Sequence, residues 1–404
     1  MQVHSSLPWR ASLFSPAETI NMWASIIFTA AAVLFGGMVV SGLWHLRWVH
    51  RLPALKNCAL PADDRIRCSV IIAARDEEAR VEQTIRRLLR QEAAEIEVIL
   101  VDDRSADRTA AIVHALGLED NRVRLVRVDV LPEGWLGKCH ACSLGAKAAR
   151  GEWLLFTDAD CWIGPDVIAR ALAVARRDGA DHVALTPGID SETFAAHAWH
   201  LMFLISFLGW IAGVNRDRRG TYFGLGAFNL VRASAYRECG GHEALRLTIL
   251  DDVRLGLLLS RCGKRTRAFL GAEDVECHWG KGLPEMIRVM EKNYFAALDY
   301  RLEAVLAGGT MVILMLFVLL LGLVSGTPLG IIAALSPLGL ILPALVLARR
   351  MSWPLRYAFG VPSMIPVFLY AVFRSTFVTL RQGGICWRDT FYPLEQLRAG
   401  GVKS

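Results

Sequence analysis

Trp153-Leu154-Leu155-Phe156-Thr157-Asp158-Ala159-Asp160 is a short apolar run that ends in two carboxylates one residue apart. Consecutive apolar residues without alternation fit a strand covered on both faces, as in a parallel sheet, rather than one with a wet side. Similar runs occupy 69–73 and 97–101, the second closed by Asp102-Asp103, and 125–128 and 182–186 continue the series. Segments 78–91 and 107–116 between them carry helical apolar spacing. Strands alternating with amphipathic helices predict a mostly parallel α/β sheet over residues 65–300. Ligands of such sheets sit beyond the carboxyl ends of the strands, which is where the acidic residues fall.

The chain changes character at both ends of this stretch. Residues 22–46 form an apolar run of bilayer length, uncharged apart from His45 and followed by Arg47, His50, Arg51 and Lys56. A basic flank after the apolar core fits a retained anchor rather than a cleaved leader, and places the following domain on the cytoplasmic side. Three further apolar stretches, 304–326, 328–348 and 353–373, are separated by Gly and Pro and by Arg349-Arg350. The expected organisation is an external segment 1–21, an anchor 22–46, a cytoplasmic domain 47–303, a membrane or re-entrant cluster 304–375 and a tail 376–404. Residues 194–214 are apolar enough to be a span as well. A span there would put the acidic residues before and after it on opposite sides of a membrane, so an interfacial or core helix is expected instead.

Composition agrees with this division. Of 404 residues, 53% are hydrophobic, too many for an ordinary soluble protein, while 21% are charged, too many for a membrane bundle alone. The net charge of +6 is spread along the chain, which suits an anionic lipid surface and gives no nucleic-acid signature. Nine cysteines without framework spacing suggest reduced thiols.

Three acidic clusters carry the chemistry: Asp102-Asp103, Asp158-Ala159-Asp160 and Asp251-Asp252, the last just before a helix that starts near Val253. Any one of them could simply cap a helix. Together, at loop positions of one sheet, they suggest a site, because a D-x-D pair can share a hard divalent cation while leaving positions open for diphosphate oxygens.

The motifs S-V-I-I-A-A-R-D-E-E (69–78), V-D-D-R-S (101–105), L-P-E-G-W-L-G-K (131–138), F-T-D-A-D (156–160) and L-D-D-V-R-L-G (250–256) resemble, in order and spacing, family 2 glycosyltransferases of the GT-A fold. The likeness is to membrane enzymes such as ceramide glucosyltransferases and hopene-associated or carotenoid glycosyltransferases, and the tail I-C-W-R-D-T-F-Y (385–392) fits the same group. The resemblance implies a Rossmann-like GT-A domain with one N-terminal and about three C-terminal spans. It further implies that Ala74, Asp76, Asp102 and Asp103 lie at the nucleotide, and that Lys138 meets the base or diphosphate. Asp158 and Asp160 would bind Mg²⁺ or Mn²⁺, Asp160 the more directly. Asp252 would be the base on an acceptor hydroxyl, with Asp251 beside it where many relatives carry Glu. The implied activity is inverting, metal-dependent transfer of one sugar from a nucleotide-sugar, expected to be a UDP-sugar, to a membrane lipid at the inner face of a cell membrane. The rivals are a polyprenyl-phosphate sugar synthase and a catalytically silent scaffold of the same fold.

One departure bears on the product. Processive and ceramide-type relatives carry Q/R-x-x-R-W after the base, whereas this sequence reads Arg288-Val289-Met290-Glu291-Lys292. Without a Trp to hold a growing end, a single addition is expected, and an amphipathic helix over 283–297 would guide the lipid headgroup. Cys139 and Cys142, with Cys277 and His278, offer a weaker zinc reading. Gly224–Asn229 reads equally as close backbone packing or as an acceptor loop, His242 and the pair His278-Trp279 have the same status, and Trp135 reads as a pocket wall.

Overall fold

The computed structural model describes residues 16–49, 52–60, 66–191, 193–280 and 282–403. Strands β1 (Arg67–Ala74), β2 (Glu95–Asp103), β3 (Val123–Val128), β4 (Trp153–Asp158), β5 (Cys161–Ile163), β6 (His182–Ile189), β7 (Asn229–Arg232) and β8 (Thr266–Cys277) form one sheet in the order β3-β2-β1-β4-β7-β6-β8-β5. The β3-β2-β1-β4 half is parallel, and β7 enters antiparallel between β4 and β6. Val70, Ile71, Ile72, Val98, Ile99, Leu100 and Leu155 are completely buried, because helices cover both faces of this half. Truncating such a side chain to Ala costs about 2–5 kcal/mol.

Chain order reverses at β1, whose neighbours are β2 and β4, and this switch point positions the site. Register pairs Ala73 with Asp158 and Ala74 with Asp102. The carboxyl end of β1 therefore sits between two carboxylate-bearing strand ends.

Among the described residues four helical stretches are long and apolar enough to cross a membrane: Phe194–Val214, Leu302–Ser325, Pro328–Arg350 and Leu355–Gln382. The first differs from the rest in burial, with 56% of its apolar window inside the protein against 17% for Leu302–Ser325. It is capped by Thr193, whose Oγ1 accepts from Ala196 N, and His200 Nε2 lies 3.1 Å from the Pro187 carbonyl on β6. Beyond its far end Asn215 exchanges two 2.8 Å hydrogen bonds with the backbone of Ala268 on β8. These are the contacts of a helix lying on the domain.

The expected anchor 22–46 falls inside one continuous helix, Pro16–Val49, which packs beside the C-terminal apolar helices. The first 15 residues of the expected external segment lie outside the described residues. Pro328–Arg350 is interrupted by a 3-10 turn at Ser336–Leu340. Within the cluster 304–375 expected to be membrane or re-entrant, Leu355–Ser363 is a 3-10 segment with Tyr357, Ala358 and Val361 buried against the protein, where irregular backbone is tolerated at membrane depth. The helix that follows, Met364–Gln382, runs beyond the apolar run that ends at 373 and into the domain. A hairpin of β9 (Gly384–Trp387) and β10 (Thr390–Pro393) completes it.

Candidate active site

The sheet's carboxyl edge opens into a cleft of about 870 Å³. Ala73, Ala74, Asp76, Asp103, Lys138, Asp158 and Asp160 line its sheet side. Asp158 is the last residue of β4, and Asp160 follows in the turn to β5. The loops after β1 and β2 are stitched together, since Asp76 Oδ1 accepts from Ala106 N at 2.8 Å and Glu78 Oε2 accepts from Arg108 N at 3.0 Å. Asp76 itself has a left-handed backbone (φ +55°), strain that these bonds over-determine.

Charge in the cleft is arranged around Lys138, at the N-terminus of helix Gly137–Ala148. Its Nζ lies 2.7 Å from Asp158 Oδ1 and 3.6 Å from Asp251 Oδ1. Burial would discharge this amine, yet Asp158 and Asp251 hold its pKa well above the ordinary value. No lysine or arginine pairs with Asp160 among the described residues, and burial together with the charge of Asp158 pushes its carboxyl up to about 7. A residue larger than Gly at 137 would collide with the Asp103 carboxylate, so the helix end approaches that strand closely.

Asp251 and Asp252 lie, as expected from the helical spacing that begins near Val253, at the start of a helix rather than at a strand end. They open the helix Asp251–Arg261, where their charges meet the positive end of the helix dipole. Asp251 is buried and held down to about 2, because Lys138 and His242 together overcome the effect of burial. Tyr236 hydroxyl lies 2.9 Å from His242 Nδ1, and His242 Nε2 lies 3.7 Å from Asp251 Oδ2, a chain that orients the imidazole toward the carboxylate. Asp252 behaves oppositely: burial and the neighbouring Asp251 charge raise it to about 6. Two carboxylates with pKa values driven apart suit different roles, one fixed in charge and one able to take a proton near neutrality. Asp252 Oδ2 accepts from Gly226 N at 2.7 Å and Oδ1 from Val253 N at 2.8 Å.

Asp252 does not line the main cleft. It lies in a small adjoining cavity with Lys138, Asp158, Asn229 and His242, so Lys138 and Asp158 form the wall common to both. Gly226 is why they can be neighbours: a Cβ there would lie 2.6 Å from Asp158 Oδ2 and 3.4 Å from Asp252 Oδ2. The Gly224–Asn229 stretch is thus a close-packing element around the carboxylates. Asp102 is buried and not among the residues lining the cleft, with Oδ1 accepting from Ser105 N at 3.3 Å and Oδ2 3.7 Å from Arg127 Nε. It supports the loop after β2, while Asp103, chelated by Arg104 at 2.8 and 3.1 Å, reaches the cleft.

The cleft's other wall was not read as a wall in the sequence. The expected helix over 283–297 is two pieces, Leu283–Met290 and Tyr294–Ala297, and Lys292 falls in the break. Its ammonium lies 3.5 Å over the ring of Trp387 on the C-terminal hairpin, and burial plus the charge of Lys138 lower its pKa to about 8. An aromatic therefore lies beside Lys292, supplied from almost a hundred residues downstream, with its face covered by the lysine. Arg388 and Asp389, both with positive φ, form the two-residue hairpin turn. Arg388 pairs with Glu77 at 2.5 Å and Asp389 lies 3.7 Å from Arg75, while Tyr392 hydroxyl accepts from Gly137 N at 3.2 Å. The sequence signal for the hairpin was the resemblance of the tail I-C-W-R-D-T-F-Y (385–392) to the same group of enzymes. Val378, Thr379 and Gln382, from the end of the apolar helix Met364–Gln382, complete this side. Trp135 packs edge-on to His140 at 5.3 Å and belongs to a core cluster beside the hairpin.

The zinc reading finds little support. Cys139 donates to the Thr248 carbonyl, and Cys277 faces Cys161 across β5 and β8 with sulfurs 2.9 Å apart.

Residues 69–240 match glycosyl transferase family 2. The 4,4'-diaponeurosporenoate glycosyltransferase of Staphylococcus haemolyticus is 28% identical over 206 residues, covering 50% of this chain and 54% of that protein. The succinoglycan biosynthesis protein ExoO of Rhizobium meliloti is 36% identical over 121 residues, covering 30% of this chain and 33% of its own length. The chain thus spans about half the length, or less, of these curated relatives. A mannosyltransferase from Pyrobaculum calidifontis, solved in complex with GDP-Man and Mn²⁺, aligns over 88% of this chain and 98% of its own with a TM-score of 0.52 at 16% identity. That likeness shows the fold, and the expected GT-A architecture is borne out.

Proposed function

We infer, from the family 2 glycosyl transferase domain that residues 69–240 form, that this chain moves one sugar from a nucleotide-sugar, in our reading a UDP-sugar, to the hydroxyl of a membrane lipid. The carrying observation is that one cleft joins the paired carboxylates Asp158 and Asp160 to the end of an apolar helix, Met364–Gln382. The names of the relatives, a carotenoid-acid glycosyltransferase among them, lean the same way.

The donor set fits a divalent cation. Asp158 and Asp160 offer hard oxygens that converge with Cys161 within 4.8 Å, and the raised Asp160 carboxyl marks negative charge with too little compensation. Asp158 and Asp160 would hold Mg²⁺ or Mn²⁺, which when bound offsets the charge of the donor diphosphate. Lys138, at the N-terminus of helix Gly137–Ala148, faces the same space and favours the same anion. Ala74, Asp76 and Asp103 would border the nucleotide, with Asp102 bracing the loop behind them.

Transfer requires the acceptor oxygen to lose its proton as it bonds to the anomeric carbon and the diphosphate leaves with the electron pair of the broken bond. Asp252, raised to about 6, is the group suited to take that proton, and Asp251, held ionised by Lys138 and His242, keeps the pocket's charge fixed. The reading places the catalytic domain on the cytoplasmic face of a cell membrane. The hairpin's contacts with Glu77 and Gly137 support a C-terminal tail on the same side as the cleft.

One observation favours an anionic acceptor such as a polyprenyl phosphate. Arg288 and Lys292 line the cleft without a carboxylate partner among the described residues. The deciding experiment incubates purified enzyme with labelled nucleotide-sugars and either neutral lipids or polyprenyl phosphates. Product on a hydroxyl lipid that collapses in Asp252→Asn supports our reading; product only on phosphate, indifferent to Asp252→Asn, replaces it.

A further inference from the structure

One charged residue of L-D-D-V-R-L-G, Arg254, takes no part in the transfer described above. It stands in the first turn of helix Asp251–Arg261, two residues after Asp252. At 3.6 residues per turn, Asp252 and Gly256 share one face of that helix, and Arg254 lies about 200° further round from Asp252, on the opposite face. The first face is pressed against the stretch before β7. A Cβ at Gly224 would overlap the Asp252 carbonyl oxygen, one at Gly256 would overlap the Phe223 carbonyl oxygen, and Gly226 N donates to Asp252 Oδ2 at 2.7 Å. Contact on that side alone would leave the turn free to tilt away from it.

Arg254 holds the other side. Only 4% of the residue is exposed, and its Nη2 donates to Asp299 Oδ1 at 2.7 Å. Its Nη1 is buried with no hydrogen-bond partner. A buried charge with one such pair adds little stability over an apolar side chain of similar size, and what it can supply instead is a single fixed geometry. The carboxylate is itself held in place. Asp299 and Tyr300 both have left-handed backbone, φ +51° and +57°, which persists in residues other than glycine only where the surroundings over-determine it. Tyr300 is buried, its N–H donates to the Phe295 carbonyl at 3.0 Å, and its own carbonyl accepts from Arg398 Nη2 at 2.9 Å. Phe295 N donates in turn to Ser375 Oγ at 3.0 Å, on the helix Met364–Gln382. The turn ends at Arg301, where the apolar helix Leu302–Ser325 begins.

We propose that Arg254 is a positioning residue: through Asp299 it pins the first turn of helix Asp251–Arg261 against Gly224–Gly226, and so sets where the Asp252 carboxylate meets the acceptor. This rests on Asp252 being the base. The anchoring point is a strained turn between the cleft wall that carries Lys292 and a helix long and apolar enough to cross a membrane. The base thus takes its position from the elements on the acceptor side, not from the sheet alone.

The test uses three variants of the full-length chain in detergent. Arg254→Met puts an unbranched apolar chain in the buried site and leaves Asp299, whose side chain is 21% exposed, able to reach water. Asp299→Asn keeps a side chain that tolerates left-handed backbone and still accepts a hydrogen bond. Arg254→Met/Asp299→Asn removes both charges at once. With labelled UDP-sugars and a neutral lipid extract, each should lose between about tenfold and a hundredfold in kcat, the scale on which a displaced catalytic group is felt. Donor KM, and UDP binding with Mn²⁺ measured by calorimetry, should not move, and circular dichroism and Tm should stay as in the wild type. Added to Asp252→Asn, none of the three should lower kcat further, since the group being positioned is no longer a base. Wild-type kcat in the folded double variant, a loss that multiplies with that of Asp252→Asn, or an equal loss in UDP binding overturns the proposal. Unfolding of all three variants would show a purely structural role and overturn it as well. A wild-type rate in Asp252→Asn itself overturns the base reading, and is seen before Arg254 is touched.

Discussion

The two walls of the cleft were made in different ways. The sheet wall comes from strand ends of one parallel unit, each carboxylate placed by the strand that precedes it, with Ala73 and Ala74 fixed by register between Asp158 and Asp102. The opposite wall is an assembly of a helix break at Lys292, the end of an apolar helix at Gln382 and a hairpin at Trp387, joined by a cation–π contact and single ion pairs. The first wall suits a ligand common to many enzymes, a nucleotide diphosphate. The second can change without disturbing the sheet, and is where acceptor choice should reside.

If that division holds, variants of the two walls should fail differently. The largest effect is expected on the sheet wall: Asp160→Ala should lower turnover on the order of a thousandfold, the upper range for losing one electrostatic stabiliser. It should also weaken nucleotide-diphosphate binding measured by calorimetry, as should chelator. Full donor affinity under chelation would break the assignment of Asp158 and Asp160. Next in size, Asp252→Asn should keep donor affinity and lose on the order of a hundredfold in kcat. Because the base must be unprotonated and its pKa is raised to about 6, wild-type kcat should climb as pH rises through about 6 and fall away below it. A flat profile from pH 5 to 8 would take Asp252 out of the proton transfer.

Gly226→Ala should be felt by both carboxylates at once, since the added methyl has no room beside Asp158. A stability loss of about 1–3 kcal/mol, the range for overpacking, is expected by thermal or denaturant unfolding. The smallest effect sharpens the contrast most. Trp387→Ala should leave donor affinity unchanged while raising the acceptor KM up to about tenfold, in line with about 0.5–1.5 kcal/mol for a ring contact. Equal losses toward donor and acceptor would show that the hairpin is not acceptor-specific. Product sizing of the same reactions tests single addition, which no longer rests on a missing aromatic: Lys292 covers the Trp387 face instead.

What could be read from the sequence follows the same line. β1, β2 and β4 were legible because full burial on both faces leaves an unbroken apolar run, and Asp158 and Asp160 because they end one. Lys138 was legible only through its motif. Asp102 could not be separated from Asp103 by pattern, since strand alternation sends adjacent residues to opposite sides and only the sheet's surroundings say which side is the cleft. Asp251 and Asp252 were legible as the start of a helix from the apolar spacing after Val253, but not as a pair whose two carboxyls are driven apart, because that depends on Lys138 and His242 brought in by the fold. The break at Glu291–Asn293 lies in a stretch of good helix formers and is imposed by tertiary packing, with Arg374 pulling on Glu291 at 2.7 Å. Trp387 was unreadable for a simpler reason: its partner is Lys292, and no local rule links residues so far apart.

The hairpin turn at Arg388–Asp389 has a mechanical consequence. It hangs, one strand beyond, from the end of a stiff rod, the 19-residue helix Met364–Gln382, about 28 Å long by its rise per residue. Arg388 fastens that rod to Glu77, in the loop that follows β1. A rocking of the rod by about 5°, well within the range that bilayer thickness imposes on embedded helices, moves its tip by about 2 Å. In the membrane setting proposed above, lipid around the helix would gain a lever on the loop that follows β1.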